Sequence, residues 1–323
     1  MKCKSFAMAV LAGWVLPFVI YAVAEQILLS KQPQSEPTTP SALMETEAKE
    51  QRDISVDVLL PDGNISTMEL NAYLTAVVLG EMPASFEPEA LMAQAVVART
   101  YTLKRQRSAK HDGGAVCTDP GCCQAYCLQE DYLAAGNSQE NLDKVIRAVM
   151  DTGYRVLLYE NELIDATYFS CAGDRTEAAV AVWGTDVPYL QSVESPGEEI
   201  SSHYVDSVTF STDEFTRLLN TEPPTAPENW IGDISYTEGG GVDTIQIAGC
   251  TYQGTALRKL LGLRSTDFQI TVIADTVTVT TKGYGHRVGM SQYGAQAMAL
   301  QGTDYEQILS HYYPGTQLQT WEG

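Results

Sequence analysis

An α+β fold is predicted for this chain, as a single exported globular unit of mixed helices and antiparallel strands behind an N-terminal transmembrane helix. Three observations carry the prediction. Helical and strand periodicities alternate along residues 54–323 with no parallel-sheet signature. Residues 268–281 alternate Thr and Val in the manner of a hairpin, just ahead of the glycine-rich stretch GYGHRVGMSQYGAQAMALQG, residues 283–302. An apolar run over residues 5–29, preceded by Lys2 and Lys4, is long enough to cross a bilayer with its N-terminus inside.

Taken in order, the run at 1–30 reads as an uncleaved single-pass anchor, because apolar character resumes at Ile27. Ala22-Val23-Ala24 offers the alternative of a cleaved signal peptide. On either reading the rest of the chain is extracytoplasmic. Residues 31–53 carry three prolines and few bulky apolar side chains, as a solvated linker does. Residues 54–60 alternate as a strand and exit through a turn at Pro61, Asp62, Gly63 and Asn64. Ser66-Thr67-Met68-Glu69 has the form of a capping box for a helix with Leu70, Leu74, Val77 and Val78 on one face, ended by Gly80. A second helix is expected over 88–107, with Pro88 in its first turn and Ala90, Ala93, Ala95 and Ala98 permitting close packing. Residues 108–130 form a loop-like insert holding four of the seven cysteines. A helix over 140–151 and strands over 154–158 and 166–170 follow. Beyond Val205 short helices alternate with β-branched strands, and a hairpin turn is expected near Ala274 and Asp275. Ser291 is the natural N-cap of the next helix, and Thr303-Asp304-Tyr305-Glu306 a capping box for the last.

Charge narrows the function. Lys and Arg total 20 against 41 Asp and Glu, a net charge of −21, which excludes binding driven by the nucleic-acid backbone. Nor is the glycine-rich stretch a phosphate loop, since no G-K-[ST] follows Gly283, Gly285 and Gly289. Glu81 lies at a helix C-terminus beside Met82 and Phe86. The dipole and the apolar neighbours both push a carboxyl toward its protonated form, as a general acid requires. Position alone favours the alternative, a solvated loop glutamate. His286, bared by the glycines around it, and Ser291 and Gln292 offer neutral hydrogen-bonding groups that suit a sugar, while the absence of a G-x-S-x-G elbow speaks against a Ser–His–Asp triad. His111, Cys117, Cys122 and Cys123 can close a tetrahedral zinc site. The alternative is disulfides, with Cys127, Cys171 and Cys250 as further partners. Tyr168-Phe169-Ser170-Cys171-Ala172-Gly173 and Val182-Trp183-Gly184 read either as a sugar-stacking surface or as core and turn.

Gly80-Glu81-Met82-Pro83, EALMAQAVVARTY (89–101), YFSCAGDRTE (168–177), VWGTDVPYLQSV (182–193), LRKLLGLRSTDF (257–268), GYGHRVGMSQYGAQAMA (283–299) and HYYPGT (311–316) occur in this order and together resemble the stage II sporulation protein D family. The resemblance spans about residues 54 to 317. It implies a membrane-anchored lytic transglycosylase that cleaves septal peptidoglycan during engulfment, on strands stripped of stem peptides by a partner amidase. Stage II sporulation proteins P, the amidase, and M are the implied partners. It also implies that Glu81, in the E-M-P motif, is catalytic; Arg99, Tyr168, Ser170, His286, Ser291 and Gln292 are assigned to binding and positioning the sugar. The cysteine-rich insert is similar to that of clostridial members, where a histidine and cysteines hold zinc. His111, Cys117 and Cys123 match that pattern, Cys122 stands where a second histidine is expected, and Cys127 is a rival fourth ligand. Four protein ligands leave no open position for water, so the zinc is expected to be structural. Met92 takes a position often lysine in relatives, which passes any electrostatic role there to Arg99.

The mechanism so implied uses one carboxyl group. Protonated Glu81 donates to the oxygen between N-acetylmuramic acid and N-acetylglucosamine, then takes the proton of the muramyl 6-hydroxyl as it closes onto C1 to leave a 1,6-anhydro end. Its rivals are a hydrolase and a non-catalytic glycan-binding scaffold that localises an amidase.

Overall fold

The computed structural model describes residues 54–108, 110–224 and 230–322. The expected anchor and linker lie outside them, and no helix among the described residues is long and apolar enough to cross a membrane. Strand β1 (Ser55–Leu59) buries Val56 and Val58 and pairs antiparallel with β2 (Ile65–Glu69) across the expected turn. Ser66, Thr67 and Met68 are therefore strand residues and not a capping box. Glu69 itself caps helix α1 (Leu70–Glu81), its carboxylate accepting from the N–H groups of Asn71 and Ala72 at 2.9 and 2.7 Å. The competing demand is that β1, with one face in the core, needs a backbone partner. Helix α1 also runs through Gly80 and ends at Glu81.

Helix α2 (Pro88–Arg107) has the expected bounds, and nearly every side chain from Ala90 to Leu103 is buried, which makes it the central post of the larger lobe. Its alanines let neighbours approach from all sides. Around it lie α1, strand β3 (Val116–Cys117), the short helix α3 (Gln129–Ala134) packed on α1, helix α4 (Gln139–Asp151) and strands β4 (Arg155–Tyr159) and β5 (Glu162–Leu163). Strand β6 (Tyr168–Phe169) and helix α5 (Ala179–Trp183) lead out of this lobe.

A second hydrophobic core follows, built on Phe215, Trp230, Ile245, Leu257, Phe268 and Val279. It contains β7 (Val205–Ser211), helix α6 (Thr212–Leu219), the meander β8 (Ile231–Tyr236), β9 (Val242–Ile247) and β10 (Cys250–Gln253), helix α7 (Gly254–Leu261), and the hairpin β11 (Phe268–Ile273) and β12 (Thr276–Lys282). The expected hairpin is present, with Ala274 at φ 49° in its turn. The chain then returns to the first lobe through β13 (Met290–Ser291), helix α8 (Gln292–Leu300), helix α9 (Tyr305–Tyr312) and β14 (Gln317–Thr320), which pairs with β4. Ser291 caps α8 as expected. Asp304, not Thr303, caps α9, accepting from Gln307 N.

Antiparallel pairing dominates, but two short parallel ladders depart from the expectation: β1 with β3, and β6 with β13. The second sets Tyr168 opposite Met290 and Phe169 opposite Ser291, more than a hundred residues apart in sequence.

Candidate functional site

A cleft of about 470 Å³ gathers Glu81, Tyr168, Ser170, His286 and Gln292. Its remaining wall includes Tyr101, Arg105, Lys110 and Tyr284, and the cysteine-rich insert supplies Cys122 and Cys123. Glu81 is the only carboxylate among the described residues that line it.

Three close approaches build this cleft. The first is at Gly80, where a β-carbon would stand 2.7 Å from Tyr126 N and 2.9 Å from Ala125 C, so glycine lets the insert lie against the last turn of α1. There the Ala125 N–H donates to Glu81 Oε1 at 2.5 Å and the Cys127 N–H to the Ala76 carbonyl at 2.9 Å. The second is the β6–β13 ladder, tightened at Gly289, whose missing β-carbon would fall 2.1 Å from the Thr167 carbonyl oxygen. The third is the bridge between Cys171 and Tyr284. Together they bring the end of α1, the 168–171 segment and the 284–292 loop into one wall.

The electrostatics around Glu81 follow from this burial. Desolvation pushes its carboxyl above the ordinary range, opposed by the Ala125 N–H, the Tyr168 hydroxyl and the Gln292 amide, which favour the charged form. The Thr102 hydroxyl donates to Gln124 Oε1 at 2.8 Å, and Gln124 Nε2 donates to the Tyr168 oxygen at 3.2 Å. With its oxygen so occupied, Tyr168 keeps its own proton for Glu81. Burial, and next the charge of Glu81, raise the Tyr168 hydroxyl well above its usual value, so it acts as a neutral donor. The Gln292 amide lies near enough to Glu81 to favour its charged form, yet its Nε2 completes no full hydrogen bond, so this buried donor has capacity left for a ligand oxygen at the cleft wall. Glu81 thus has what an acid needs when protonated and three donors that stabilise it once ionised.

His286 is less bare than its glycines suggested. Its ring lies 5.6 Å from that of Phe169 and 5.3 Å from that of Trp183, and its Nδ1 accepts from the Val288 N–H. Burial first, then the charge of Arg258, lowers it to about 4, so it is neutral at physiological pH. The next residue, Arg287, is fully buried at φ 65° and anchors the loop: its guanidinium donates to the Ala172, Arg175 and Gly239 carbonyls at 2.8–2.9 Å and pairs with Glu177 at 3.3 Å.

Two of the expected sugar-binding residues do not reach the cleft. Arg99 is wholly buried, donating to the carbonyls of Arg155 and Val149 and to the Thr152 hydroxyl, all at 3.1 Å, and so ties α2 to α4 and β4. The long apolar neighbourhood of α2 turned its side chain away. Ser291 is buried too, its hydroxyl accepting from Gly294 N as the N-cap. Met92 packs against the core, so the cations at the cleft are Arg105 and Lys110. Sequence reasoning missed Gln124, Tyr101 and Arg105. Nothing in the sequence marks a buried glutamine in a cysteine-rich loop, whereas Tyr101 and Arg105 lie four apart on α2 and share one face.

The insert gathers four of the candidate ligands. The donor atoms of His111, Cys117, Cys122 and Cys123 all lie within 4.8 Å of one another, with His111 Nε2 3.4 and 3.5 Å from the sulfurs of Cys122 and Cys123. A tetrahedral zinc with ordinary Zn–S and Zn–N bonds places such donors about 3.5 Å apart, so the group fits that ion. Cys127 stands outside the group, directed at the Leu128 carbonyl, and the described cysteines are free thiols. The group leads directly into Gln124 and Ala125, the two residues that contact Tyr168 and Glu81.

The stage II sporulation protein family model matches residues 63–159, a span that includes Glu81 and all four clustered donors. Over 261 residues the chain is 38% identical to stage II sporulation protein D of Bacillus amyloliquefaciens, covering 79% of this chain and 75% of that protein. Against stage II sporulation protein D of Bacillus subtilis (strain 168) it is 39% identical over 261 residues, covering 79% and 76%. It is also 30% identical over 303 residues to the amidase enhancer of the same strain, covering 77% of this chain and 40% of that protein. Identity of this extent places the chain in the stage II sporulation protein D family.

Proposed function

We propose that the chain is a peptidoglycan lytic transglycosylase of sporulation, acting on glycan strands freed of stem peptides and held at the membrane by its N-terminal run. The observation that carries this reading is a single half-buried carboxyl, Glu81, raised toward its protonated form in a cleft where Tyr168, Ser170 and Gln292 offer neutral hydrogen-bonding groups. An inverting hydrolase needs a second carboxylate about 6.5–9.5 Å away, and a retaining one a second at about 5–5.5 Å. The described cleft residues offer Glu81 alone.

In the proposed reaction the Glu81 proton goes to the glycosidic oxygen as the C1–O bond of N-acetylmuramic acid breaks. The Ala125 N–H and Tyr168 hydroxyl hold the resulting carboxylate in place, and it then takes the proton of the 6-hydroxyl as O6 bonds to C1. No water is consumed, and Glu81 ends protonated. Gln292 and Ser170 are assigned to positioning the sugar. His111, Cys117, Cys122 and Cys123 would hold zinc, which supplies a cross-link in the insert. The chain's own Gln124 and Ala125 carry that order to Tyr168 and Glu81.

A second reading is favoured by the relative named amidase enhancer: a glycan-binding protein that assists an amidase without turnover. Incubating the full-length chain and its Glu81→Gln variant with amidase-treated peptidoglycan separates the two. Soluble fragments from the native chain alone support the enzyme. Binding with no fragments from either supports the scaffold.

A further inference from the structure

Trp183 is a large apolar side chain left in the open next to the cleft. It closes the short helix α5, which Gly184 ends at φ 77°, and the residue is 48% exposed. One turn back, Val180 is 49% exposed, so α5 presents a small apolar surface to solvent. Neither residue is core. The indole is nonetheless not a free surface residue, because its ring lies 5.3 Å from that of His286, which lines the cleft and rests in turn on Phe169. Phe169, His286 and Trp183 thus form a row of rings running outward from the cleft. Arg287, next to His286 in the chain, is anchored through the Ala172, Arg175 and Gly239 carbonyls.

Polysaccharide rings present apolar C–H faces between their hydroxyls, and such a face stacks on an aromatic ring with one side packed and the other wet. We infer that Trp183 is a sugar-stacking platform that extends the cleft by one subsite, so that the site grips a strand longer than the cleft alone can hold. This rests on the glycan reading of the cleft, and the occupant is the same strand continuing past His286. Continuity with the cleft wall is what selects it over a protein partner.

Trp183 also reports on its own occupancy. Of the four tryptophans, Trp14 lies in the N-terminal run, Trp230 is buried in the second core, and Trp321 sits under Arg107 at 4.4 Å. The test uses the full-length chain carrying Glu81→Gln, so that strands are not consumed, and peptide-free glycan strands sorted into short and long classes. Binding is followed by tryptophan fluorescence and by co-sedimentation. Long strands are expected to change the fluorescence. Adding Trp183→Ala is expected to remove that change and to raise the Kd for long strands roughly tenfold, the effect of covering about half of an open indole face, with little effect on short ones. Trp183→Phe is expected to recover most of the affinity. A half-exposed residue tolerates these changes, and an unchanged thermal midpoint verifies it. Equal affinity of the parent and Trp183→Ala for long strands overturns the inference while leaving the cleft reading intact. Failure of both chains to bind any strand overturns both. Fragment release by the unmodified chain is scored separately, so loss of the enzymatic reading alone leaves the stacking result readable.

Discussion

Gly80→Ala is a small change with an outcome that helix propensity and tertiary contact forecast in opposite directions. Gly80 lies inside α1, where alanine is favoured over glycine by about 1 kcal/mol. The new methyl would stand 2.7 Å from Tyr126 N and 2.9 Å from Ala125 C, where normal contact is about 3.5 Å. The insert must therefore retreat by roughly 0.7 Å, at a cost of about 1–3 kcal/mol. The net effect is a destabilisation of about 0–2 kcal/mol, a fall in Tm of at most several degrees. The same retreat stretches the 2.5 Å bond from Ala125 to Glu81 and disturbs Gln124 and hence Tyr168. Misplacement on this scale lowers the rate by about ten- to a hundredfold. Thermal unfolding and fragment release on the same preparation read both quantities. A raised Tm with full activity would refute the reasoning, because propensity would then act alone and the insert would not press on α1.

Other perturbations follow the same logic. Glu81 has a raised folded-state pKa, so its contribution to stability is complete below the unfolded value and is lost as pH rises through the folded one. Glu81→Gln is therefore expected to abolish turnover while raising Tm, by more at alkaline pH than at acid pH; parallel Tm curves would contradict this. In the native chain the rate is expected to fall as pH rises through that pKa, since the acid is spent. Arg287→Met strands Glu177, which is 1% exposed, and is expected to cost about 3–5 kcal/mol, with Arg287→Met/Glu177→Gln recovering part of it in denaturant unfolding. Cys122→Ser is expected to lower bound zinc by elemental analysis and Cys127→Ser to leave it unchanged; the reverse pattern would reassign the fourth ligand.

How much of this was legible varies with the range of the interaction. Helix α2 was readable to its ends because Pro88 and the alanine pattern act locally. Ser66 to Glu69 misled for the same reason: a capping box is a local signal, and the pairing of Thr67 with Asp57 on β1 overrode it. Gly80 looked like a helix stop, but its bareness serves a contact with residues 125 and 126. Arg99 looked like a cleft cation, since nothing in its neighbours reveals that α2 is buried on every face. Glu81 was visible as a candidate by position, and the resemblance singled it out. The hydrogen bonds that tune it come from Ala125 and from Tyr168 with Gln124 behind it, none of them close to it in sequence. The four clustered donors that could hold a metal were visible as a set, whereas the position of Cys127 outside the cluster needed the path of the insert.

The account stands on Glu81 serving as both acid and base, with the muramyl 6-hydroxyl as the nucleophile. Digesting peptide-free glycan with the full-length chain in water enriched in heavy oxygen, and weighing the new chain ends by mass spectrometry, tests this. Ends that carry no solvent oxygen and have lost one water relative to a reducing sugar are the expected result. Reducing ends labelled at C1 would mean that water attacks, and would require a base that the cleft, as described, does not contain.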